Sequence, residues 1–203
     1  MPVKERILET ALRMFRMYGI KSVTMFDISR ESGVSKKTVY EHFKDKEELV
    51  QEGMRFVLDG HEQHLTDFRQ HSANAIEELM KQGEYMVMLG KTINPVMLYE
   101  LQKYLPNVWK QIETFQEDCL LQAINTNLQR GINEEIYRKD LRLDIVARMR
   151  QLQLETVFDQ HQFPGAKFNM HEVIEQITMN FVLGISTEKG RKIAEKHLQI
   201  LEN

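Results

Sequence analysis

The apolar residues of this chain recur three and four positions apart almost from end to end, and that spacing commits it to helices. Ile7, Ala11, Phe15 and Tyr18 form one stripe, with Leu8 and Leu12 beside it. Side chains three or four apart stack on one face of an α-helix, whereas a strand needs alternation by two. Val, Ile and Thr build no convincing alternating run. Pro and Gly, the usual punctuation of short strands, number four and ten. The expected fold class is all-α, with about nine or ten helices.

Punctuation places the elements. The first helix is expected over Val3 to Tyr18, where Gly19 can take up a left-handed cap. Thr24 can cap a second helix, with Asp27 as its capping-box partner. That helix carries Ile28 inward and stops at Gly33. Ser35 is placed to cap a third, short helix from Lys36 to Phe43, whose Val39 and Phe43 lie four apart on its buried side. Two short helices joined by a glycine-containing turn form a helix-turn-helix pattern. Longer helices follow over Lys46 to His71 and Ala73 to Lys91. Asn94-Pro95 opens a sixth that ends near Tyr104. Pro106 opens a seventh, expected to run to Arg130 and to be stopped by Gly131. The remaining helices are expected over Leu143 to Phe158, Met170 to Gly184 and Thr187 to Leu201. Phe163-Pro164-Gly165 marks the clearest loop.

Charge is unevenly distributed. The net charge is −3, which gives no global case for nucleic acid. Met1 to Lys46, however, holds ten Lys/Arg against six Asp/Glu, while the remainder holds 17 against 24. A basic head on an acidic body hints at a polyanion partner at one end. The single cysteine, Cys119, cannot form an internal disulfide and reads as a small core residue, consistent with a reducing compartment. The start lacks the apolar stretch and cleavage site of a signal peptide, and no run approaches the ~20 apolar residues of a membrane span. The expected location is cytoplasmic, with no membrane partner.

The segment "SKKTVYEHF" carries the chemistry. With Val39 and Phe43 inward, the helical period sorts the rest. Thr38 and His42 share one side, and Lys36 and Tyr40 another, with Lys37 near both. Each is a hydrogen-bond donor or can become one, and the unpaired N–H groups of the helix start add partial positive charge. These groups suit phosphate oxygens, and Lys36 and Lys37 in the first turn are placed to reach base edges. Taken singly, a Lys-Lys pair is usually a solvated face, Tyr40 a packing residue and His42 an ordinary histidine. Their conjunction on a short helix after a glycine turn favours DNA binding.

Residues 3–49 resemble the DNA-binding domain of TetR-type transcriptional regulators. The resemblance rests on "ILETALRMFRMYG" followed by "VTMFDISRESGVSKKTVYEHFKDKEELV" and covers about a quarter of the chain. It implies that Thr24, Ser35, Thr38, Tyr40, His42 and Lys46 contact phosphates and that Lys36 and Lys37 read bases. Thr24 and Ser35 also have a competing role as plain helix caps. Glu41 is acidic where many relatives are neutral or basic, so it either points away from DNA or selects against some bases. The resemblance further implies a division into residues 1–46, a three-helix helix-turn-helix domain, and residues 47–203, a helical ligand-binding and dimerisation domain. By helix order, the segments near 143–158 and 170–184 would pair with their copies in a homodimer. A dimer has a physical motive, because two recognition helices on a palindromic operator multiply the few contacts of one.

An effector pocket would lie among helices four to eight. Met86, Met88, Tyr99, Trp109, Phe115 and Phe158 are candidate lining residues, although Met and aromatic residues at helical spacing are more often plain core. The Met-rich composition suits an adaptable interior, and uncharged "YMVML" favours a small apolar or amphipathic effector. In "GHEQHL", His61 and His64 lie three apart, one short of the His-Glu-x-x-His zinc pattern, so no metal is expected. Nor is any cofactor, because no nucleophile–base pair or glycine-rich phosphate loop stands out. The expectation is therefore a non-enzymatic DNA-binding regulator, a repressor released by a small effector. The alternative is a helix-turn-helix regulator controlled by a protein partner without a small-molecule ligand.

Overall fold

The computed structural model describes residues 2–201. Among them it places eleven α-helices and one π-helical segment. In chain order these are α1 (Val3–Tyr18), α2 (Met25–Ser32), α3 (Lys36–His42), α4 (Lys46–Gln70), α5 (Ala75–Thr92), α6 (Pro95–Tyr104) and α7 (Pro106–Thr114), then the π-helical Phe115–Leu120, α8 (Leu121–Asn133), α9 (Leu143–Thr156), α10 (Met170–Ile185) and α11 (Glu188–Leu201). The all-α expectation holds. The expected seventh helix is two α-helices joined through the π-helical segment. Among the described residues, no helix is long and apolar enough to cross a membrane.

The chain divides into two compact units, residues 1–61 with 92–115 and residues 62–91 with 116–203. The expected division at residue 46 follows role; compactness divides the chain elsewhere, because Leu49, Val50 and Met54 of α4, Leu101 of α6 and Val108 of α7 share one core with α1–α3.

In the first unit, α1 buries Ile7, Leu8, Ala11, Met14 and Phe15 on one face. It ends at Gly19, whose φ of 80° and ψ of 165° fall in a region open essentially to glycine. Thr24 and Asp27 form a reciprocal capping box at the start of α2. Gly33 closes α2 in the left-handed conformation, at φ 67°. Ser35 caps α3, its side chain accepting the Thr38 N–H. Val39 and Phe43 are fully buried and fasten α3 to the core. Truncating Phe43 to Ala would cost about 3–5 kcal/mol on the scale of large-to-small core changes. Asp45 then accepts the Glu48 N–H and starts α4.

In the second unit, one core gathers Ile76, Leu79, Leu128, Tyr137, Phe181 and Val182. A smaller cluster centres on Val157, Val173 and Ile174. Gly131 does not stop α8. It lies inside the helix, and a Cβ there would sit 2.0 Å from the Tyr137 ring. The helix runs on to Asn133, and Glu135 takes the positive φ, 61°, that turns the chain. The buried Tyr137 hydroxyl donates to the Ala75 carbonyl and to Asn127 Oδ1. Arg130 bridges Glu78 and Glu134, closing this end of the unit.

Candidate nucleic-acid interface

The outward side chains of α3 follow from its anchoring. Once Val39 and Phe43 point inward, Lys36, Lys37, Tyr40, Glu41 and His42 are exposed and Thr38 is half-buried. The Ser35 and Thr38 hydroxyls lie 2.9 Å apart at the helix start. The Lys36 ammonium stands 5.8 Å from the centre of the Tyr40 ring. The Lys37 ammonium reaches Glu41 across one turn at 3.8 Å, with both side chains largely exposed. An exposed pair of this kind is weak, so a phosphate or base edge can displace it. Thr24 is exposed at the start of α2, where its hydroxyl donates to Asp27 at 2.6 Å. The structure thus brings seven expected contact residues onto α3 and the two helix starts beside it.

Lys46 stands apart from these. Its ammonium, half-buried, donates to the backbone carbonyl of Val23 and, at 3.5 Å, to that of Lys21. Burial pushes its pKa down, and the nearby Glu100 and Asp27 partly oppose that shift. Lys46 therefore ties the start of α4 to the turn between α1 and α2.

The same turn is held from α6 by Glu100, which the sequence analysis does not single out, and by Asn94 and Tyr104, expected only as the ends of that helix. Glu100 is 8% exposed. Its Oε2 accepts the backbone N–H of Ile20 and, at 3.1 Å, that of Lys21. Asn94, the cap of α6, donates through Nδ2 to the Arg16 carbonyl at 3.0 Å. The Lys21 ammonium lies 3.4 Å from the centre of the Tyr104 ring. A Cβ on Gly19 would come within 3.1 Å of the Glu100 carboxylate, so the absent side chain lets α6 approach. The available signal was register: Glu100 falls in line with Met97, Leu101 and Leu105, where an apolar residue is expected.

The expected pocket residues divide between the units. Tyr99, Trp109 and Phe115 belong to the first, and Met86, Met88 and Phe158 to the second. Met86 and Phe158 pack on the small Val157–Ile174 cluster, while Met88 and Tyr99 are exposed. Trp109 packs against the first unit's core. His64 lies against Tyr85 at a 45° tilt, with ring centres 4.5 Å apart. Cys119 lies in the π-helical segment, and burial pushes its thiol pKa up.

A helix-turn-helix whose second helix turns two lysines, a tyrosine and a histidine outward defines a DNA-binding regulator. Residues 7–52 match the family model described as bacterial regulatory proteins, tetR family, in keeping with the resemblance read from the sequence. It is 29% identical over 199 residues to the HTH-type transcriptional repressor KstR2 of Mycobacterium tuberculosis, covering 91% of this chain and 92% of that one. Its fold resembles that of a transcriptional regulator from Saccharomonospora viridis solved with choline, with a TM-score of 0.75 at 18% identity, covering 91% of this chain and 98% of that one. It also resembles that of FadR from Bacillus subtilis solved with stearoyl-CoA, with a TM-score of 0.67 at 16% identity, covering 89% of this chain and 98% of that one.

Proposed function

We propose that this regulator is a homodimeric, cytoplasmic repressor released from a palindromic operator by a small apolar or amphipathic effector. Residues 1–46 carry the DNA contacts, and 47–203 carry effector binding and dimerisation. The observation that supports this most is the outward set on α3, held in place by buried Val39 and Phe43. Thr24, Ser35, Thr38, Tyr40 and His42 serve as phosphate contacts, with any spare donor of Lys46. Lys36 and Lys37 serve as base readers. The relative named above is a repressor, and two structural neighbours were solved with small molecules.

Dimerisation through α9 and α10 is supported by Ile145, Met149 and Leu152. They recur at helical spacing on α9 and are exposed by 50%, 54% and 53%. A matching copy would cover this apolar stripe. Two α3 helices about 34–36 Å apart would then meet successive major grooves.

The effector acts by binding one arrangement better than the other. The clasp gives it a route to the DNA contacts. Lys46 of α4 and Glu100 of α6 hold the α1–α2 turn, so a shift of either helix drags α2 and α3 with it.

The test is a mobility-shift series on operator DNA. Affinity should fall steeply as salt rises, and a lipophile panel should contain compounds that release the DNA. Binding indifferent to salt would refute the phosphate contacts. Met149→Glu should yield monomers in sedimentation and abolish operator binding; a dimer surviving that change would place the interface elsewhere.

A further inference from the structure

Arg150 occupies a place where the fold calls for an apolar side chain. Val146, Ala147, Leu154 and Val157 follow the inner register of α9 and its end, and Arg150 stands in line with them. It is 3% exposed. Its Nη2 donates to Thr178 Oγ1 at 3.1 Å, and its guanidinium lies 5.0 Å from the centre of the Phe181 ring. Its Nη1 is buried and has no acceptor among the described residues. Burial pushes its pKa down to about 10, and the one group opposing that shift is Tyr137, not a carboxylate. Two other arginines of this unit are paired: Arg130 with Glu78 and Glu134, and Arg148 with Glu117.

A buried guanidinium without a counter-charge costs several kcal/mol, and an apolar residue of like volume would avoid that cost. Retaining it is consistent with an anion that arrives from outside the chain. A second copy cannot supply that anion, because the chain's own helices close over the side chain.

The surroundings narrow the chemistry. One fixed cation balances a single negative charge, the Thr178 hydroxyl can add a hydrogen bond, and the planar fork matches a carboxylate. From Arg150 the inner face of α9 leads through Leu154 to Val157, a rise of about 10 Å. On α10, Ile174 lies one turn from Thr178. Val157 and Ile174 belong to the apolar cluster that includes Met86, Phe158 and Met170, and methionine repacks readily around a guest. Gly83 and Gly90 of α5 face Thr178 and Ile174, where an added Cβ would press within 3.2 Å of Thr178 and 3.0 Å of Met170.

We infer that Arg150 and Thr178 anchor the carboxylate of an amphipathic acid, whose apolar body lies along Leu154, Val157 and Ile174. This rests on the effector-controlled reading and specifies the effector's class.

The experiment follows thermal unfolding of the full chain with octanoate, decanoate, dodecanoate and cholate, each beside its methyl ester. At least one acid should raise Tm while its ester does not. Arg150→Met should still fold, because an apolar side chain suits the site, and should bind that acid about tenfold or more weakly. Thr178→Val should weaken it less. Acids and esters acting alike, an Arg150→Met protein that keeps the acid response, or no response to any acid would each overturn the inference. Operator release by neutral lipophiles alone would remove the carboxylate anchor and leave effector control standing. Acid binding through Arg150 without any change in operator occupancy would do the reverse.

Discussion

The carboxylate of Glu100 accepts the backbone N–H of Ile20 across 80 positions of sequence. That bond joins the end of α1 to α6 where no water competes, since both residues are buried. Glu100→Ala would leave two N–H groups without their acceptor, and each buried one carries a penalty of about 1–3 kcal/mol. Urea unfolding should therefore show the midpoint falling. The single tryptophan, Trp109, packs on this unit's core and makes its fluorescence a local reporter. Glu100→Gln keeps one oxygen and should lose less. Equal stability in all three proteins would show that the clasp holds nothing.

The proposed recognition surface would carry two kinds of contact, and two substitutions tell them apart. Lys37→Ala removes a proposed base reader and frees Glu41 from its 3.8 Å pair. Discrimination at one or two operator positions should fall by about 1–3 kcal/mol, while nonspecific affinity changes less. Tyr40→Phe removes one hydroxyl from an exposed ring and should weaken operator and random DNA alike. Binding to a set of single-base operator variants measures both. A uniform loss for Lys37→Ala would reassign it to the phosphates.

Much of this was legible because it depends on local chemistry. Thr24 with Asp27, Ser35 and Gly33 act within a few residues of themselves, and each stands where its residue type predicts; Gly19 ends α1 as expected, but with ψ near 165° rather than in the left-handed cap. The rest depends on partners distant in sequence. Gly131 looks like a stop signal until Tyr137 folds back over it. Glu100 and Arg150 look like breaks in an apolar stripe until the α1–α2 turn meets one and Thr178 the other. Lys46 reads as a phosphate contact by resemblance, yet its ammonium already serves the carbonyl of Val23. Lining residues chosen by type alone fall in two units, because methionine and aromatic side chains mark a core without saying which.

Acid should loosen the DNA-binding unit through Asp27. Hydrogen bonds from the Thr24 side chain and backbone, joined by the charges of Arg30 and Lys46, hold its pKa below the usual value. A carboxylate depressed in the folded state stabilises the fold above its unfolded pKa, about 3.9. That contribution is lost as pH falls through the lower, folded value. Asp27→Asn should therefore flatten the acid limb of the stability curve below about pH 4. Trp109 fluorescence in urea at a series of pH values measures it. An unchanged acid limb would mean that the capping box persists without its charge.

Gly190 makes the sharpest packing demand in the second unit. It sits in the first turn of α11, and a Cβ there would lie 2.1 Å from the Ile136 carbonyl oxygen. That carbonyl is fixed, because it accepts the Thr187 N–H at 2.9 Å beside the bridge between Tyr137 and Ser186. Backbone cannot swing aside as a side chain can, so Gly190→Ala must part α11 from the Ile136–Tyr137 segment. Gly131→Ala meets the Tyr137 ring instead, which can be relieved by cutting back that ring. Overpacking costs about 1–3 kcal/mol and at times more, and Gly190→Ala should fall at or beyond the upper end. The double variant Gly131→Ala with Tyr137→Leu should recover part of its stability, whereas Gly190→Ala should gain nothing from Tyr137→Leu. Calorimetric Tm values of the four proteins separate the cases, and rescue of Gly190→Ala by the smaller side chain would contradict the backbone clash.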